Sequence, residues 1–148
     1  MRHLEITGFA RARTSQELFP LLCDFESYPR FSDTVVSLTV DRTNPDEPVS
    51  QWTIKFGPGE ATWTQRDSID PATHSIRFER LSGDIEEFRG FWKIQDAPEG
   101  CQVLFSVDFD TGLFLLSAIV DPMVENVLRE NIASILSGLC AAEVVAAE

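Results

Sequence analysis

The apolar positions of this chain follow two periods. Over most of its length they alternate in short runs, and near the end they recur at helical spacing. Leu4, Ile6, Gly8 and Ala10 alternate within residues 2–11 and predict a strand. Thr14-Ser15-Gln16-Glu17 has the form of a capping box, and Leu18, Leu21 and Leu22 continue it as a helix that Pro20 keeps short or kinks. Asp24–Phe31 predicts a second short helix, closed near Tyr28-Pro29. Val35–Asp41 then predicts a strand, and Asn44-Pro45-Asp46-Glu47-Pro48 a loop.

A meander follows. Trp52, Ile54 and Phe56 share one face of Val49–Phe56, and Gly57-Pro58-Gly59 turns the chain. Along Ala61–Ile69, Trp63, Gln65 and Asp67 fall on one side, and Thr62, Thr64 and Arg66 on the other. Ile76 and Phe78 lie together in Ser75–Leu81. Phe88, Gly90, Trp92 and Ile94 lie together in Ile85–Gln95, as do Val103, Phe105, Val107 and Phe109 in Cys101–Phe109. Turn residues recur about every ten positions, as an antiparallel sheet requires. Leu113–Val120 is an apolar run, expected either as a buried crossover at the base of the next helix or as a lid. Asp121-Pro122 predicts an N-cap with proline at the first helical position, opening a long helix to about Val145. Val124, Val127, Leu128, Ile135 and Leu139 form its apolar stripe, and Asn131 lies inside it.

The expected fold class is α+β, a curved antiparallel sheet of about seven strands around a long C-terminal helix. Two short helices follow the first strand. The length, 148 residues, suits one domain spanning 1–148. Where one helix does not fill the sheet's concave side, an apolar pocket would remain.

Composition narrows the function. Asp and Glu number 24 against 12 Lys and Arg, a net charge of −12. Such a surface repels phosphate backbones and anionic headgroups, so neither nucleic acid nor a membrane is expected as a partner. Eleven Phe stand beside a single Tyr, an apolar form of aromatic content. No apolar run approaches a membrane span or a signal segment, so a soluble, cytoplasmic protein is expected. Three widely spaced cysteines suggest reduced thiols, and the two histidines, His3 and His74, assemble no metal motif or nucleophile triad.

Several segments together resemble the START and birch-pollen-allergen superfamily, whose architecture is called helix-grip. They are Cys23-Asp24-Phe25-Glu26-Ser27-Tyr28-Pro29-Arg30-Phe31, Trp63-Thr64-Gln65-Arg66-Asp67, Gly83-Asp84 with Phe88-Arg89-Gly90-Phe91-Trp92, and Arg129-Glu130-Asn131-Ile132. Within the superfamily the chain is most similar to the polyketide cyclase/dehydrase and aromatase/cyclase branch, over roughly residues 3–140. The resemblance implies a deep cavity between sheet and long helix, holding a bulky hydrophobic molecule. For the cyclase branch it implies a poly-β-ketone chain brought by an acyl carrier protein and closed by aldol condensation and dehydration. Orientation does most of that work, helped by a polar group on the carbonyl, with no metal or redox cofactor. A carrier for a quinone, lipid or isoprenoid is the alternative. A monomer or homodimer is expected, and Arg2, Arg11, Arg13, Arg30 and Arg42 are the cations on which an acidic carrier protein could dock.

The candidate catalytic residues are Gln65, Arg66, Asp67 and Asn131. Each has a plainer reading, as an outward side chain, an ion pair or a satisfied buried amide. The resemblance would put an arginine on the Trp63 face, but here that face continues with Gln65 and Asp67, and only a bulge would bring Arg66 inward. The candidate ligand-binding residues are Tyr28, Trp52, Phe56, Trp63, Phe78, Phe88, Trp92, Phe105, Val127 and Leu128, whose plainer reading is core packing.

Overall fold

A computed structural model describes residues 1–56, 58–113 and 115–145, and of Ser117 the backbone alone. The predicted turn residue Gly57, and Phe114 in the apolar run, lie outside the described residues. Strands β1 (Arg2–Arg11), β2 (Val35–Asp41), β3 (Val49–Phe56), β4 (Gly59–Asp70), β5 (Ser75–Gly83), β6 (Glu87–Ala97), β7 (Gly100–Asp110) and β8 (Glu143–Val145) form one curved antiparallel sheet. Their order is β2-β3-β4-β5-β6-β7-β1-β8. Each hairpin of the meander puts neighbours in sequence beside each other in space, and β1 closes on β7 from Arg2↔Phe109 to Arg11↔Gly100.

Helix α1 (Ser15–Cys23) and a 3-10 turn (Phe25–Arg30) connect β1 to β2. The capping box at α1 forms in both directions between Thr14 and Glu17. Asp96 of β6 fastens the same helix end, accepting from Ser15 N at 2.7 Å and Ser15 Oγ at 2.8 Å. These bonds hold the Asp96 carboxyl below its ordinary pKa. Leu18, Phe19 and Leu22 are buried beneath α1.

Helix α2 (Ser117–Gly138) lies across the sheet's inner face, and two of its boundaries differ from expectation. It opens four residues before Asp121, because the Leu116 amide reaches the Leu113 carbonyl and the Ile119 and Val120 amides reach the Leu116 carbonyl. Asp121 does not cap the helix; it accepts from the Thr111 hydroxyl at 2.8 Å. Pro122 therefore sits inside the helix, in its second turn. The end also comes early. The Leu139 and Ala142 amides close back on Ile135 and Leu136, and Ala141 takes a left-handed conformation (φ 52°). The residues expected as the last helical turns instead make β8, paired with Thr7–Phe9 of β1.

The core fills the space between the inner sheet face, α1 and α2. Leu4, Ile6, Ile76, Val103, Val107 and Phe109 come from the sheet, and Val124, Leu128, Ile135 and Leu136 from α2. Gly90 of β6 lies tight against β7, and a Cβ there would sit 1.9 Å from the Ser106 carbonyl oxygen. Only glycine permits that approach.

Candidate functional site

Between the inner face and α2 lies a slim cavity of about 30 Å³. Trp52, Ile54, Trp63, Gln65, Phe78, Phe88, Trp92 and Phe105 line it from the sheet, and Leu128, Asn131, Ile132 and Ile135 from α2. Such a volume is about a tenth of the roughly 300 Å³ at which small-molecule pockets begin. This corrects the deep cavity that the resemblance implies: the aromatic side chains themselves fill the concavity. Trp52 and Trp63 stack with ring centres 5.9 Å apart and planes 6° from parallel. Phe78 contacts Phe88 and Phe105, and Phe105 meets Trp92 edge-on at 4.7 Å.

The alternation along β4 carries through. The register between β4 and β5 does slip at Thr64/Gln65, but the extra residue is on β5, where Thr64 faces Ser82 and Gln65 faces Arg80. Strand β4 stays regular, so Trp63, Gln65 and Asp67 all point inward and are buried. Arg66 points outward, to Glu79 at 3.4 Å and Glu47 at 3.9 Å. The bulge that would have turned Arg66 inward lies one strand away, and Arg66 does not reach the cavity.

Two buried polar clusters adjoin the cavity. On the sheet side, Trp63 Nε1 donates to Gln65 Oε1 at 2.8 Å and Gln65 Nε2 donates to Asp67 Oδ1 at 2.7 Å. Trp52 Nε1 donates to Ser50 Oγ at 2.9 Å, and Ser50 Oγ donates to Asp67 Oδ2 at 2.6 Å. Asp67 thus accepts on both oxygens from behind the lining and does not itself face the cavity. Burial raises its pKa from 3.8 to about 6, against the pull of the Ser50 and Gln65 bonds and of Arg42. On the helix side, the Ser32 and Thr34 hydroxyls both meet one end of the Asn131 amide. Its other end has no partner among the described residues, while Asn131 lines the cavity.

The remaining expected residues divide. Trp52, Trp63, Phe78, Phe88, Trp92, Phe105 and Leu128 line the cavity. Tyr28 is fully buried behind them, its ring edge-on to Trp52 and Trp92 and its hydroxyl donating to the Leu22 carbonyl. Phe56 and Val127 are partly buried beside the core and outside the lining. Sequence reasoning missed Ile132 as lining, though it follows Asn131 directly, and did not place Ile54 or Ile135 at the site. It also missed Ser50, Ser32 and Thr34; short hydroxyl residues carry no signal until a partner far along the chain is known. Among its described residues the apolar run is not a buried crossover: Leu115 is 91% exposed, and Leu113, Leu116 and Ile119 are also exposed around the N-terminal end of α2.

Among the described residues no cluster of His, Cys, Asp or Glu could hold a metal ion, and no helix is long and apolar enough to cross a membrane. Burial pushes the Cys23 and Cys140 thiols up to about 11 and about 12, which makes them poor nucleophiles.

Comparison with solved structures bears out the helix-grip architecture. The protein TTHA0849 from Thermus thermophilus superposes with a TM-score of 0.83 at 20% identity, covering 93% of this chain and 94% of that one. The Zhui aromatase/cyclase from Streptomyces sp. R1128 gives 0.67 at 18% identity, covering 96% and 98%. A START superfamily protein from Mycobacterium smegmatis gives 0.65 at 15%, covering 90% of each. No curated protein matches the sequence. Residues 12–136 do match one family over most of the chain, and the protein belongs to it: polyketide cyclase / dehydrase and lipid transport.

Proposed function

We propose that this protein binds a neutral, largely apolar polyketide-type molecule between sheet and α2 and promotes its aldol cyclisation and dehydration by orienting it. The observation that supports this is the lining itself: aromatic and aliphatic on every side, without a charged residue, and interrupted only by the carboxamides of Gln65 and Asn131. A charged ligand would lose its hydration there with no counter-charge, whereas a ketone or enol would find an amide on each wall. Polarising a carbonyl at one end while another is fixed at a distance is what folding a poly-β-ketone requires. Entry demands that α2 lift or the indoles rotate, since the resting cavity holds little more than water. Delivery on an acyl carrier protein belongs to the same reading.

A carrier role is the second reading, favoured by one feature. The buried carboxylate nearest the cavity, Asp67, stands behind Gln65 and offers no direct base to the ligand. Product profiling with a minimal polyketide synthase decides between them. Addition of the protein is expected to shift the products towards one ring-closed aromatic compound, and Gln65→Leu or Asn131→Leu to weaken that shift. An unchanged profile, with a small molecule nevertheless retained in native mass spectrometry, would leave the carrier reading. No shift and no retained molecule would end both.

A further inference from the structure

We propose that Asp67 is the positioning residue of the cavity, a carboxylate that never touches the ligand but makes Gln65 present an N–H to it. This rests on the binding reading above and sharpens its ligand chemistry: the group opposite Gln65 is a hydrogen-bond acceptor, a carbonyl oxygen.

An indole Nε1–H can only donate, and an ionised carboxylate can only accept. The Gln65 amide is held between one of each, Trp63 at 2.8 Å on its oxygen and Asp67 at 2.7 Å on its nitrogen. Turning it end for end would set N–H against N–H and oxygen against oxygen. The second path runs the same way, from Trp52 through Ser50 to the other oxygen of Asp67. Both stacked indoles and the amide are therefore anchored to one carboxylate. The Gln65 nitrogen has two hydrogens; Asp67 takes one, the other has no partner among the described residues, and the Gln65 side chain lines the cavity. The charged and titratable groups that act on this cluster are Arg42, just past the end of β2, and the Tyr28 phenol on the 3-10 turn. Tyr28 stays neutral because burial pushes its pKa well up. Protonation of Asp67, centred near pH 6, turns a pure acceptor into a group that also donates, and the one-way order is then released.

The test uses the full chain. In ¹H–¹⁵N spectra taken from about pH 8 down to about pH 5, the indole N–H signals of Trp52 and Trp63 are expected to shift together with one midpoint. Trp92, which is outside the cluster, is expected to stay put. Asp67→Asn is expected to abolish both shifts. Separate midpoints, or shifts that persist in Asp67→Asn, would overturn the proposal. A ligand arm uses acetophenone and α-methylstyrene, which share a shape and differ in C=O against C=CH₂. The preference for the ketone, taken as the ratio of the two Kd values, is expected to fall about tenfold between the two pH limits and to be flat in Asp67→Asn. A flat ratio in the unmodified protein, with both probes bound, overturns the positioning role and leaves the binding reading intact. Failure of both probes to bind overturns the two together.

Discussion

Adjacent residues of β4 have opposite fates. Gln65 and Asp67 are 4% and 2% exposed on the inner face, while Arg66 between them lies on the outer face with two glutamates. The outer face carries charge in abundance, as a chain of net charge −12 must, and its ion pairs are solvated. The inner face carries one ionisable group on β4, and the hydrogen-bonding directions around it are set by two indoles that can only donate, through Gln65 and Ser50. The difference shows that the number of charges on a surface says little about chemistry. What matters is whether a group's protonation changes the orientation of others. Measurements on the two faces should therefore diverge in size.

The largest effect is expected where the inner face has no slack. Gly90 of β6 shares the side of Phe88 and Trp92, and an added Cβ would meet Ser106 O at 1.9 Å, Val107 Cα at 2.8 Å and Phe78 Cζ at 2.9 Å. The first two are backbone and cannot swing aside. Gly90→Ala is expected to cost on the order of 3 kcal/mol or more in chemical denaturation. A loss below about 1 kcal/mol would show that the β6–β7 pairing can open, and the contrast between rigid inner face and tolerant outer face would fail.

Asp67→Asn comes next, and its sign is unusual. The folded chain holds the Asp67 proton more tightly than an unfolded one, since its pKa rises from 3.8 to about 6. Ionisation therefore works against folding. The penalty is absent below the unfolded value, grows as pH rises between the two, and is complete above about pH 6, where it approaches about 3 kcal/mol. Asparagine is nearly the same size and never ionises. The variant is expected to be more stable than the natural chain near pH 8, raising Tm by roughly 2–4 °C per kcal/mol recovered, and about equal to it near pH 4. Thermal melts at the two pH values check this. A variant less stable at both would mean that the Ser50 and Gln65 bonds to the carboxylate outweigh its desolvation.

Much of this was legible beforehand, for a reason that also marks the limit. Period-two alternation is a local property, so Trp63, Gln65 and Asp67 could be put on one face and the meander counted by its turns. The α2 boundaries depend on what the flanking residues bond to: Asp121 looks like a cap until Thr111 is found beside it, and Glu143–Val145 looks like a last helical turn until β1 is there to pair with. The polar clusters were out of reach for the same reason. Ser50 and Asp67 are 17 positions apart and Ser32 and Asn131 are 99 apart, and nothing local marks either serine. Cavity size was least legible, because the same aromatics on the same faces could line a broad hollow or, as here, stack and fill it.

Gln65→Leu separates the amide from the carboxylate behind it. It removes the N–H offered to the cavity, leaves the Trp63 indole N–H without its acceptor and leaves Asp67 with Ser50 alone. The ketone preference should fall about tenfold at pH 8, to the level of Asp67→Asn, and stability should drop by about 1–2 kcal/mol. Titration calorimetry with the paired probes, alongside urea melts, reads both. A Gln65→Leu variant that keeps the preference would move recognition to Asn131.

The smallest effect belongs to Arg66→Ala. Its guanidinium meets Glu79 at 3.4 Å and Glu47 at 3.9 Å, with 40% of the side chain open to water. Exposed pairs at such distances contribute about 0–1 kcal/mol, because water screens the attraction and ordering two long side chains offsets the remainder. The strand itself is held by the β3 and β5 ladders, which the substitution leaves alone. Stability should change by less than about 0.5 kcal/mol, and ring closure and probe binding should be unaffected, since the side chain lies on the far side of the sheet from α2. In a cyclase working through an inward arginine, the same substitution would silence the site. A severe loss of activity in Arg66→Ala, without a matching loss of stability, would therefore mean that β4 adopts a second register in which residues 65 and 66 exchange faces, and the division between the two faces would no longer hold.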